Sequence, residues 1–100
     1  MYVNNAYLQE LPPELWQLTN LQTLNLLSNR LKTLPPGISR LKNLQNLNLG
    51  ANLFSSLPKE IGELKNLRTL DISRNNLSKS EIEKIKRLLP GCKIIDSPQY

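Results

Sequence analysis

Residues 44–66 read LQNLNLGANLFSSLPKEIGELKN, and the 23 residues before them, 21–43, read LQTLNLLSNRLKTLPPGISRLKN. Set one above the other, the lines share Leu21 with Leu44, Leu24 with Leu47, and Leu26 with Leu49. The next line carries Leu67, Leu70 and Ile72 in the same places. Asn29, Asn52 and Asn75 form the next column, and Leu31, Phe54 and Leu77 follow two places on. Pro35 aligns with Pro58, Ile38 with Ile61, and Leu41 with Leu64. Self-similarity at a fixed period means stacked units, none of which can bury its apolar face alone. Within a unit, LxL at period two suits a short strand with its leucines on one side. The asparagine turns the chain, since its amide can bond backbone groups that the turn leaves unpaired. Pro35 and Pro58 end any strand, and the IxxL spacing suits a short 3₁₀ or helical return.

Composition agrees with one small aliphatic domain. Among the 100 residues are 22 leucines and 12 asparagines, with aromatics at only 5%. There is no histidine and a single cysteine, Cys92. That excludes a disulfide within the chain, a Cys/His zinc site and histidine-based catalysis. No glycine-rich phosphate loop is present either, so no cofactor, metal or small-molecule substrate is expected and the chain is not read as an enzyme. No run reaches the roughly 18 apolar residues of a membrane span. Met1 is not followed by a signal-like stretch, which favours the cytoplasm, with export as the alternative.

The line LxxLxLxxNxLxxLPxxIxxLxx resembles the leucine-rich repeat in its 23-residue LPxxI form, found in short bacterial proteins and Ras-group relatives. The resemblance implies an α/β fold: a solenoid with a parallel concave sheet, short 3₁₀ or helical returns and a C-terminal helical cap. The expected organisation is a single domain over 1–95. It has a partial first repeat at 1–20, repeats at 21–43, 44–66 and 67–88, a cap at 80–95, and a tail at 96–100. Ser80-Glu81-Ile82-Glu83 reads as the capping box of the last helix, which Pro90-Gly91 stops. Leu89, Cys92 and Ile94 then repeat the LxxLxL spacing 22 residues after Leu67, Leu70 and Ile72. That register makes Cys92 a buried, inert core residue. Trp16 is expected to face outward or cover the convex side. At the other end Ala6 stands in the asparagine column and no polar cap precedes Leu8, Leu11, Leu15 and Leu18. These leucines are therefore expected to be partly exposed, and a homodimer through the N-terminal turn is the simplest consequence.

The resemblance also implies a function, protein–protein recognition on the concave sheet. The variable positions around LxL supply the partner-binding candidates: Tyr2, Thr23, Asn25, Asn46, Asn48, Arg68, Asp71 and Arg74. The column Asn29, Asn52 and Asn75 is assigned a structural role in the turns. The rival is binding of a polyanion, nucleic acid or anionic glycan, through the basic C-terminal half. Nine of the 13 positive residues lie after residue 50, but six acidic residues are interspersed and leave that half at +3. Lys84, Lys86 and Arg87 share a solvated helix face, and no row of aromatics exists for base stacking, so nucleic acid is the weaker reading.

Overall fold

The computed structural model of the protein describes residues 1–96. Three-residue strands β1 (Thr23–Asn25), β2 (Asn46–Asn48), β3 (Thr69–Asp71) and β4 (Lys93–Ile95) form one parallel sheet in chain order. Leu24 pairs with Leu47 and Leu47 with Leu70, so one period of the sequence is one step across the sheet. Their side chains are 0%, 2% and 0% exposed, which makes this column the centre of the core. Each such leucine taken from water contributes roughly 1.5–3 kcal/mol. Ahead of β1, Tyr2 bridges to Asn25 in the same parallel sense.

The returns are 3₁₀ turns at Pro13–Gln17, Pro36–Arg40 and Lys59–Glu63. Each follows a proline in extended geometry, whose carbonyl accepts from the amide three residues on: Pro12 from Leu15, Pro35 from Ile38, Pro58 from Ile61. Proline fixes φ and offers no donor, so strand pairing stops and a tight turn begins. The inward residues Leu15, Ile38 and Ile61 bury against the leucines of the sheet. Together these solenoid turns and a terminal helix, α1 (Lys79–Leu88), fill a body 33 × 30 × 17 Å in extent.

The chain leaves the Tyr2 bridge and strands β1, β2 and β3 through left-handed residues that are not glycine. Asn5, Ser28, Ala51 and Arg74 have φ of 56°, 62°, 53° and 58°. For an L-residue with a Cβ this conformation costs roughly 1–2 kcal/mol. Ala51 has no side-chain hydrogen bond to offset the strain. Ala51→Gly is expected to stabilise the fold by about 0.5–1 kcal/mol, raising the melting temperature by several degrees. A lowered melting temperature in calorimetry would contradict this.

Four expectations need correction. Trp16 is buried, at 8% exposure, so of its two expected placements, outward or over the convex side, the outward one is excluded. It lies over Gly37 of the next turn, where a Cβ would stand 2.6 Å from the indole Cδ1. The glycine makes room for the ring. Second, the α1 cap is Ser78, not Ser80: its Oγ accepts from Glu81 N at 3.1 Å. Both serines fit an S-x-x-E pattern, but Glu81 Oε2 also accepts from Leu57 N at 3.2 Å, and this contact with the preceding turn favours the earlier start.

Third, Cys92 is half-buried and outside the leucine column, because Leu70 pairs with Ile94. The spacing there is 24 residues, one more than the 23-residue period and two more than the 22-residue alignment assumed. Fourth, Leu11 and Leu15 are buried, Leu8 is half-buried, and of these four only Leu18 is exposed. Of the expected tail, Asp96 pairs with Lys86 Nζ at 3.0 Å, and 97–100 lie outside the described residues.

Candidate binding groove on the concave sheet

Asn29, Asn52 and Asn75 form a hydrogen-bonded spine that ties each turn to the one before it. The Nδ2 of Asn52 donates to Leu26 O, Leu49 O and Gly50 O at 3.0, 3.1 and 3.0 Å, and its Oδ1 accepts from Leu31 N at 3.1 Å. Asn29 bonds Val3 O and Leu26 O in the same way, and Asn75 bonds Leu49 O and Ile72 O. Leu26 O and Leu49 O are thus each shared by asparagines of two adjacent turns. Asn29 Oδ1 also accepts from the amides of Ala6 and Leu8, serving the first turn, where Ala6 stands in this column.

On the concave face a shallow groove of about 250 Å³ crosses the strands. It is lined by Tyr2, Asn25, Asn48, Asp71 and Ile95 along one row and by Thr23, Asn46 and Thr69 along the other, over Leu24 and Leu47. Neighbouring positions in a row stand about 4.8 Å apart, the spacing of paired strands. The second row is wired laterally: Thr69 Oγ1 donates to Asn46 Oδ1 at 2.7 Å, and Asn46 Nδ2 donates to Thr23 Oγ1 at 3.4 Å.

The first row is wired along the chain. Asn25, Asn48 and Asp71 each accept at Oδ1 from the amide two residues on, Leu27, Gly50 and Ser73, at 3.1, 2.8 and 2.9 Å. Such turns hold the side chain rigid and commit its oxygen locally. The Nδ2 groups of Asn25 and Asn48 have no hydrogen-bond partner among the described residues, so the row offers the groove donors, then a carboxylate oxygen. Gly50 is buried beneath, where a Cβ would approach Leu27 Cδ1 and Asn48 Oδ1 to 3.1 Å.

Of the residues proposed from sequence, Tyr2, Thr23, Asn25, Asn46, Asn48 and Asp71 thus line one groove, whereas Arg68 and Arg74 are exposed and do not line it. Ile95 was missed, because the 22-residue alignment set Lys93 rather than Ile95 opposite Asp71. The helix and tail would have had to be aligned with a two-residue gap to reveal it.

The model of the leucine-rich repeat region matches residues 1–88 of this sequence. The chain belongs to the leucine-rich-repeat family. Its fold is similar to that of a leucine-rich-repeat protein of the bacterium Leptospira interrogans, at a TM-score of 0.83 and 49% sequence identity. That likeness covers 86% of this chain and 22% of the Leptospira chain, so this leucine-rich-repeat chain spans about a fifth of its neighbour's length. No curated protein matches it. Leucine-rich-repeat proteins act in general as protein-interaction scaffolds and are typically not enzymes.

Away from the groove, chemistry is sparse. Burial raises the Cys92 thiol above its ordinary pKa, which keeps it protonated and weakly nucleophilic at neutral pH. Lys84 pairs with Glu81 at 3.4 Å and Lys86 with Asp96, so two cations of the helix face have partners. Among the described residues no cluster of Cys, Asp or Glu could hold a metal ion, and no helix is long and apolar enough to cross a membrane.

Proposed function

We propose that this leucine-rich-repeat domain is a protein-binding module whose concave groove receives the partner, with no chemistry of its own. One observation carries the reading: the row Asn25, Asn48 and Asp71 is held rigid by bonds that use only one side of each polar group. Asn25 and Asn48 keep their Nδ2 donors, and Asp71 keeps Oδ2. A partner that pairs with them meets a preorganised surface and orders little on binding. Arg68 and Arg74 stand outside the groove and would act on encounter and orientation rather than at its centre.

The test is capture of binding proteins from a cell extract by the wild type and by Asn48→Arg. The wild type is expected to retain a specific partner that Asn48→Arg loses. Asn46→Arg, which leaves the Asn48–Gly50 bond intact, should lose it as well, with an unchanged melting temperature ruling out unfolding. Retention of every captured protein by both variants would contradict the reading. The polyanion alternative predicts instead that binding falls steeply with added salt.

Self-association is a separate proposal. Met1, Val3, Leu8, Leu11, Pro12, Leu15, Leu24 and Leu26 line an apolar cavity of about 160 Å³ at the N-terminal end, and Met1 and Leu18 are exposed beside it. Apolar surface of this kind supports pairing between copies. Light scattering over a wide dilution range should show a dimer that dissociates; a monomer at all concentrations would refute it.

A further inference from the structure

The three solenoid turns provide an internal comparison that separates what the fold needs from what it does not. At the same place in β1 and β2 stand Asn25 and Asn48; in β3 stands Asp71. All three make the same Oδ1 bond to the amide two residues on, so a neutral amide suffices for the turn. The negative charge at Asp71 adds nothing that this bond requires. A half-buried carboxylate nonetheless loses part of its hydration. Among the described residues no cation forms an ion pair with it, the pairs being Lys42–Glu63, Lys84–Glu81 and Lys86–Asp96.

The chemistry of the carboxylate narrows what it can receive. Its Oδ1 accepts from both Ser73 N and Ser73 Oγ, at 2.9 and 2.6 Å, which fills that oxygen. Only Oδ2 is open. A guanidinium fork needs both oxygens for its two parallel bonds, whereas an ammonium is a point charge that a single oxygen can hold. Ile95 stands next to Asp71 in the row and lines the groove, an apolar wall for the methylene stem of a lysine. Farther along the row the free Nδ2 donors of Asn25 and Asn48 suit backbone carbonyls, and Tyr2 closes that end.

We infer that the groove binds an extended segment of a partner protein that places a lysine ammonium on Asp71 Oδ2 and its carbonyls on Asn48 and Asn25. This rests on the concave-face reading and specifies its occupant. Arg68 and Lys93 flank the same edge, so the charge gain is modest. A lysine-bearing peptide should bind about three- to tenfold tighter than its lysine-to-glutamine counterpart, below the scale of an unopposed charge-assisted hydrogen bond because the two cations repel the ammonium.

Random peptides displayed on phage, selected on the whole chain, provide the test, and Asp71→Asn is the informative variant because asparagine already serves this position in two turns. Wild type should enrich peptides with lysine at one fixed place. Asp71→Asn should still select groove-binding peptides but without the lysine, and fluorescence anisotropy on one such pair should show the fold-difference collapse. Enrichment without lysine, the same lysine preference on both proteins, or no enrichment at all would each overturn the inference. Peptides that bind without a lysine preference yet are lost on Asn46→Arg would leave the concave-face reading standing. Peptides insensitive to Asn46→Arg would remove both.

Discussion

Asn52→Asp should leave the protein largely unfolded at neutral pH. The substitution changes one atom group, yet it replaces the donor that faces Leu26 O, Leu49 O and Gly50 O with a charged oxygen. Asn52 is 4% exposed, so water cannot screen the clash. An unpartnered charge at such a depth costs roughly 3–5 kcal/mol. Small domains have total stabilities near the low end of about 5–15 kcal/mol, so little would remain. The pH dependence identifies the cause. Only the protonated acid can donate to those carbonyls, so the folded state raises the pKa of the introduced carboxyl. Stability is then fully present below the ordinary carboxylate pKa and is lost as pH rises through the raised folded value. The melting deficit relative to wild type should shrink on going from about pH 7 to about pH 4. An equal deficit at both would mean that the loss is steric.

Leu47→Ala is expected to cost roughly 2–5 kcal/mol, as large-to-small changes at packed sites do. Leu47 pairs in register with both Leu24 and Leu70, so truncation opens a void between two neighbouring turns at once. For a domain of this size the melting temperature should fall by more than about 10 °C. Calorimetry showing a change of only a few degrees would place the core elsewhere. The two substitutions probe different parts of one turn: the first breaks the hydrogen-bonded spine, the second the packing that the spine aligns.

The solenoid was legible because its signal is periodic. Leu24, Leu47 and Leu70 announce themselves by recurrence, and the strand register equals the sequence period. The concave row Tyr2, Asn25, Asn48 and Asp71 follows from the same count. What recurrence could not supply was geometry where the period breaks. The last step is longer than the period, which moved Cys92 out of the leucine column and brought Ile95 into the groove. Trp16 occurs once, so no column revealed its place; its burial depends on Gly37, a residue from the next turn. The choice between Ser78 and Ser80 as helix cap lay with Leu57, a contact 24 residues from Glu81. A second asparagine column, Asn20, Asn43 and Asn66, recurs at the same period. Two of its members brace the opposite corner, with Asn43 Nδ2 on Thr19 O and Asn66 Nδ2 on Lys42 O.

The local commitments of the polar row were likewise hidden. Nothing in the letters N, N and D distinguishes a side chain free to bind from one folded back on its own turn. The bonds to Leu27, Gly50 and Ser73 show that each is tied to its turn on one side, with the other side left toward the groove.

The central claim is that the concave sheet, not the convex returns, carries recognition. It is tested most directly by measuring one captured partner's affinity for three proteins: wild type, Asn46→Arg on the sheet and Lys59→Gln on an exposed return. The account predicts that Asn46→Arg weakens binding by about tenfold or more, as at the centre of an interface, while Lys59→Gln changes it less than about twofold. The reverse order, or equal losses in both variants, would contradict it.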